Sequence, residues 1–121
     1  MTLKILAVDD SRTMRDMVKQ ALTSAGFDVH LAEDGQHGVE RVEELRPDLI
    51  ITDINMPRMD GFGLINTVRH GNVRPTVPIL VLTTESAPEL KDKARQAGAT
   101  GWIVKPFDRD KLIAAIRRVT V

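Results

Sequence analysis

Five short aliphatic runs, each followed by a stretch of helical period, set the tightest limit on what this chain can fold into. Leu3–Val8, Val29–Ala32, Asp48–Thr52, Pro78–Leu82 and Gly101–Val104 are brief and almost free of charge. Runs of that length and composition predict strands covered on both faces. Between them, apolar residues recur at three- and four-residue steps, the mark of an amphipathic helix. Met14, Met17, Val18, Ala21, Leu22 and Ala25 form the first such stripe. Val39, Val42 and Leu45 form the second, and Leu64, Ile65 and Val68 the third, which fades at His70–Gly71. Leu90, Ala94 and Ala97 give the fourth, and Leu112, Ile116 and Val119 the last.

The punctuation agrees with this reading. Asp10, Ser11 or Thr13 can cap the first helix, and Gly26 stands where a left-handed residue would end it. Asp34–Gly35 turns the chain into the second helix, which Pro47 stops. Ser86 to Glu89 reads as a capping box with Pro88 in the first turn, and Gly98 closes that helix. Asp108 can cap the last one. Strand and helix alternating five times predict an α/β fold: a doubly wound, five-stranded parallel sheet with five helices on its two faces. The expected strand order is 2-1-3-4-5, in one domain over residues 1–121. Open sheets of this kind bind ligands beyond the carboxyl ends of their strands, where the strand order reverses.

What stands at those ends is polar. The first strand runs into Asp9 and Asp10, the second into Glu33 and Asp34, the third into Asp53, the fourth into Thr83 and the fifth into Lys105. In the order 2-1-3-4-5 the first and third strands are neighbours, so Asp9, Asp10 and Asp53 meet in one pocket. Carboxylates held together repel one another, and a hard divalent cation relieves them; Mg2+ takes oxygen ligands. His30, His37 and His70 are scattered and there is no cysteine, which argues against zinc or copper. Lys105 and Thr83 add a positive charge and a hydroxyl suited to phosphate oxygens. Metal, nucleophile and oxyanion partners in one set suit phosphoryl transfer to a carboxylate. Taken singly, each residue has an ordinary use: Asp10 as a cap, Thr83 as a strand end, Lys105 as a solvated side chain, Asp53, Asn55 and Asp60 as turn residues.

The remaining totals bound the class. Aromatics make up 3% of the chain, so its core is aliphatic, and 17 basic residues balance 17 acidic ones. That balance supplies no long-range pull toward nucleic acid or an anionic membrane. No apolar span approaches the ~20 residues of a membrane helix, and the first residues lack a signal peptide's apolar stretch and cleavage site, so a cytoplasmic location is expected. The last helix ends the sequence given, so no appended output domain is expected.

Five separated segments carry a resemblance: Val8 to Arg15, Thr52 to Gly61, Leu82 to Thr84, Ala97 to Ala99 and Val104 to Phe107. Along nearly its whole length the chain resembles a response-regulator receiver domain, in particular the single-domain chemotaxis regulators of the CheY type, which have a flavodoxin-like fold. The resemblance implies roles residue by residue. Asp53 corresponds to the phosphoacceptor. Asp10 corresponds to a direct Mg2+ ligand, Asp9 to a carboxylate reaching the metal mainly through water, and Asn55 to the position whose backbone carbonyl completes the site. Thr83 and Lys105 correspond to the phosphate-contacting pair, with the Lys105–Pro106 bond cis. Trp102 stands at the aromatic switch position, more often tyrosine or another smaller aromatic, and Asn55 with Glu85 at positions that tune dephosphorylation.

The implied function is a phosphorylation-activated switch that catalyses its own phosphorylation and dephosphorylation. Its implied partners are a chemotaxis-type histidine kinase as phosphodonor and a flagellar motor switch protein or a phosphatase, with the chain itself a monomer. A phosphate sink or a phosphorelay intermediate would carry the same residues. An aspartate-nucleophile phosphatase of the haloacid-dehalogenase type would need an acid two residues after Asp53, where Asn55 stands. A P-loop hydrolase would need a glycine-rich loop where Asp9 to Arg12 stand. An FMN binder would need a phosphate cradle and aromatic faces at the strand ends.

Overall fold

The computed structural model describes residues 2–120, so Met1 and Val121, the outer positions of the expected 1–121 domain, lie outside the described residues. The elements alternate as β1 (Lys4–Val8), α1 (Arg12–Thr23), β2 (Asp28–Ala32), α2 (Gly35–Leu45), β3 (Leu49–Thr52), α3 (Gly61–Arg69), β4 (Ile79–Thr83), α4 (Pro88–Ala97), β5 (Gly101–Val104) and α5 (Arg109–Val119). All four strand pairings are parallel, in the order β2-β1-β3-β4-β5, as expected. No helix among the described residues is long and apolar enough to cross a membrane.

Side chains alternate across each strand, and the core divides accordingly. Leu6, Val8, Ile50, Ile79 and Val81 point to one face, where Val42 of α2, Leu64, Ile65 and Val68 of α3 and Ala94 of α4 cover them. Ile5, Ala7, Leu49, Ile51, Leu80 and Leu82 point to the other, under Val18 and Leu22 of α1 and Leu112 and Ile116 of α5. The central strands β1, β3 and β4 are buried almost throughout. The edge strands β2 and β5 are not, and Val104 is 39% exposed. Strands covered on both faces were the expectation for the five runs; an edge strand has a neighbour on one side only, which leaves part of it open to solvent.

Ser11 is the residue that caps α1, its side chain accepting the Met14 N–H. At the other end Gly26 is left-handed (φ 94°), and the Phe27 N–H returns to the Leu22 carbonyl at 3.1 Å, closing the helix as expected. Asp34, Asp60 and Asp108 cap α2, α3 and α5. The capping box expected at Ser86 does not form. Ala87 is the N-cap of α4 and makes no side-chain bond. Pro88 explains the shift: a proline fits the first helical position and forces the residue before it to be extended, so Ser86 falls one position too early.

One close approach ties the helices to the strand ends. The Gly61 N–H donates to the Ile54 carbonyl at 2.8 Å. A Cβ on Gly61 would collide with the Asp53 carbonyl oxygen and come within 2.9 Å of Ile54 Cα. The first turn of α3 is therefore seated on the backbone that follows β3. Gly61→Ala should lower stability by about 1–3 kcal/mol, the usual cost of overpacking. A urea-denaturation midpoint equal to wild type would show that α3 shifts outward without penalty.

Candidate functional site

Register places the acids. Val8 pairs with Thr52 across β1 and β3, so Asp9 and Asp53 leave the sheet at one level. Backbone bonds continue the ladder past both strand ends: Asp9 N–H to the Ala32 carbonyl at 3.1 Å and Asp53 N–H to the Val8 carbonyl at 3.0 Å. Asp9 is 6% exposed and Asp53 9%, whereas Asp10 is exposed at the rim. One oxygen from each of the three lies within 4.8 Å of the others. Asp10 does not cap α1; that is the work of Ser11.

Each inner carboxylate is held by both oxygens. Asp9 Oδ1 accepts the Ser11 N–H at 2.9 Å, and Asp53 Oδ1 accepts the Ile54 N–H at 2.6 Å. Asp9 Oδ2 and Asp53 Oδ2 both receive Lys105 Nζ at 2.8 Å. The lysine arrives from β5 because Thr83 pairs with Val104 and the Lys105 N–H bonds the Thr83 carbonyl at 2.7 Å. The Lys105–Pro106 bond is cis, as expected. Burial alone would lower the Lys105 pKa, but its bonds to Asp53 and Asp9 outweigh that and raise it above the usual lysine value.

Thr83 is fully buried, and its Oγ1 accepts the Glu85 N–H at 3.3 Å. An accepting hydroxyl keeps its own proton for another oxygen. The Glu85 side chain crosses the mouth of the pocket to the Asn55 amide at 2.9 Å. The Glu85 carbonyl accepts the Trp102 indole N–H at 3.0 Å. Trp102 is partly buried and packed against the core, so its indole is fixed at both its ring and its donor. Asn55, Thr83 and Trp102 are thus linked to one another through Glu85.

One pairing of consequence escaped the sequence reading. Asp34, 3% exposed, receives the Arg58 guanidinium, with Nε at 2.7 Å and Nη2 on the same oxygen. Arg58 is left-handed (φ 66°). The only sequence signal was Asp34 at the end of the second aliphatic run, and nothing there pointed to a partner 24 residues on.

The donor set fits a hard divalent cation. It is three carboxylates with no histidine or cysteine, and oxygens on one Mg2+ lie roughly 3–4 Å apart, consistent with a cluster spanning at most 4.8 Å. Residues 5–117 match the response regulator receiver domain. The response regulator MprA of Mycobacterium leprae (strain TN) is 37% identical over 115 residues, covering 95% of this chain and 50% of that protein. The chain spans about half the length of the curated relatives it matches. The chemotaxis protein CheY4 of Vibrio cholerae is 44% identical with a TM-score of 0.94, over 98% of this chain and 99% of that one. The receiver domain of sensor histidine kinase PA1611 from Pseudomonas aeruginosa PAO1 is 29% identical with a TM-score of 0.91, over 99% and 98% of the two chains, and has a magnesium ion coordinated in its active-site cleft. A doubly wound sheet whose switch point gathers three aspartates and a lysine, matched in sequence and in fold by these proteins, assigns the chain to the response regulator receiver domains, the signalling switches of two-component systems, whose phosphodonors are histidine kinases.

Proposed function

We propose that Asp53 is the phosphoacceptor of a receiver domain acting in a chemotaxis-type pathway. The observation that carries this is the pocket itself: Asp9, Asp10 and Asp53 converge within 4.8 Å, with one ammonium 2.8 Å from two of them. Asp9, Asp10, Asp53 and the backbone carbonyl of Asn55 would hold Mg2+. When bound, that ion neutralises charge developing on the transferred group. An oxygen of Asp53 attacks phosphorus, the P–N bond to the donor imidazole breaks, and the imidazole leaves. The Ile54 N–H fixes the other carboxylate oxygen during this step. Lys105, already 2.8 Å from Asp53 Oδ2, meets a phosphoryl oxygen carried there, and Thr83 donates its hydroxyl proton to a second. The kinase of such a pathway is the phosphodonor, and a flagellar motor switch protein is the target we favour. The 44% identity to the chemotaxis protein CheY4, over 99% of that chain, supports the chemotaxis reading; a phosphate sink or a relay intermediate would use the same pocket.

The signal has a short route outward. A dianionic phosphoryl group draws Thr83 and its loop inward. Glu85 moves with that loop, and its carbonyl is the acceptor for Trp102. Hydrolysis regenerates the switch when water attacks phosphorus and the acyl phosphate P–O bond breaks. Asn55 and Glu85, bonded across the mouth at 2.9 Å, are placed to orient that water.

Incubation with a small acyl phosphate donor and Mg2+ should add one phosphoryl group to wild type by intact mass and none to Asp53→Asn. Equal labelling of the two would sink the assignment. Loss of phosphate should slow by roughly 3–10-fold in Asn55→Ala and Glu85→Ala, short of the ~10²-fold that a 1 Å misplacement costs; unchanged lifetimes would remove both residues from the hydrolytic step. Lys105 gives a pH-dependent test in metal-free buffer. Its raised pKa means that its stabilisation is complete below the unfolded lysine value of ~10.4 and is lost as pH rises through the folded value. Lys105→Met should therefore be less stable than wild type at pH 7, by on the order of 1–3 kcal/mol for a pair at the solvent boundary. That gap should close at the alkaline end of a urea series; a gap independent of pH would assign it to packing instead of charge.

A further inference from the structure

We propose that the Asp34–Arg58 ion pair is a strut that positions the loop between β3 and α3 for the divalent cation, which makes both residues positioning residues for metal binding. The inference rests on the proposed Mg2+ site. Residues 54–60 have no regular structure, and Asn55, Pro57, Arg58 and Asp60 are exposed. The hydrogen bonds from the Met59 N–H to the Pro57 carbonyl and from the Gly61 N–H to the Ile54 carbonyl shape this stretch only from within. Ile54 is buried in the core, and Met56 and Met59 pack against it; the polar ties of the loop to the rest of the molecule are few among the described residues. Asn55 reaches Glu85, which belongs to a second loop. The Gly35 N–H donates to the Met59 carbonyl at 2.9 Å, and Arg58 grips Asp34. The last two converge on the start of α2.

That anchor is firm. The Asp34 carboxylate is divided between two tasks: Oδ1 accepts the His37 N–H at 2.9 Å as the cap of α2, and Oδ2 takes Arg58. Burial would raise the Asp34 pKa, but the His37 N–H and the Arg58 guanidinium outweigh it and hold the carboxyl below its usual value, so Asp34 stays charged at neutral pH. The other end is held at a cost. Arg58 has φ 66°, a conformation that a side chain disfavours and glycine accepts. An arginine persists there with its side chain bound to a buried acid, three residues beyond Asn55. The pair thus sets where the loop backbone sits relative to Asp9, Asp10 and Asp53.

Electrostatics and positioning give opposite signs, which makes the inference testable. Arg58 is a positive charge beside an acidic metal site. If it were only a bystander, removing it would tighten Mg2+ binding. A strut predicts the reverse. Arg58→Gly is the informative variant, because glycine suits the backbone and removes only the pair. Titration of the metal-free protein with Mg2+ by calorimetry should show its Kd raised about 10-fold, the lower end for outer partners of a metal site. Asp34→Asn keeps a capping oxygen and should weaken binding similarly, and the double variant should be no worse than either single one. Amide exchange at Asn55 and Met59 should accelerate in both variants. Mg2+ binding that is unchanged or tighter in Arg58→Gly would overturn the strut while leaving the metal site intact. Absence of Mg2+ binding by wild type would overturn the site itself, and the strut with it.

Discussion

The ammonium of Lys105 between Asp9 and Asp53 is the interaction on which the rest of the structure depends. The β1–β3 register forces two carboxylates to the same level, at 6% and 9% exposure, with Asp10 beside them. Such a cluster costs stability unless a positive charge answers it. The answer comes from β5, two strands beyond β3, across roughly 10 Å of sheet. Only a long basic side chain spans that distance. The order β2-β1-β3-β4-β5 thereby acquires an electrostatic reason: a charge problem at its centre is met from its edge, and the edge strand is bound to the site by more than its ladder.

A lysine is well suited to this task because its charge is a compact point on a flexible stem. It serves two carboxylates at once and, under the proposed function, can follow an anionic oxygen added at Asp53. An arginine fork would hold a carboxylate in a fixed bidentate geometry and adapt less readily. The hydrogen-bond pattern around Asp53 divides along the same line. Its Oδ1 is fixed by the backbone N–H of the next residue, Ile54, while Oδ2 faces the Lys105 ammonium. One oxygen is therefore structural, and the other is the reactive one under the proposed function.

Much of this was legible in the sequence because it followed from period and chain order. Aliphatic runs gave the strands, the strand ends gave Asp9, Asp10, Asp53, Thr83 and Lys105, and alternation gave the sheet. What escaped depends on single dihedrals and on contacts between loops. The Asp34–Arg58 pair requires a left-handed arginine in an irregular loop, which no periodicity encodes. The bond from Trp102 to the Glu85 carbonyl depends on an indole orientation that composition leaves open. The start of α4 was misplaced by one residue because Ser86 and Pro88 gave competing signals and proline's rigid φ prevailed.

That misplaced cap bears on how the molecule divides into firm and yielding parts. At its C-terminal end α4 is heavily tied: Gly98 is left-handed, the Ala99 N–H bonds the Ala94 carbonyl at 2.9 Å, and Arg69 of α3 sends Nε and Nη2 to the Gly98 carbonyl at 2.9 and 2.8 Å. At its N-terminal end Ala87 supplies no side-chain acceptor for the first amides. A missing cap forgoes about 1 kcal/mol at that end. The uncapped turn directly follows the loop that joins Thr83 to Glu85. Displacement of that loop therefore meets least resistance at the start of α4, while the Arg69–Gly98 contact holds the far end in place. Under the proposed function, the same imbalance makes Trp102 the natural reporter, since its acceptor lies on the yielding side and its own strand is paired with β4.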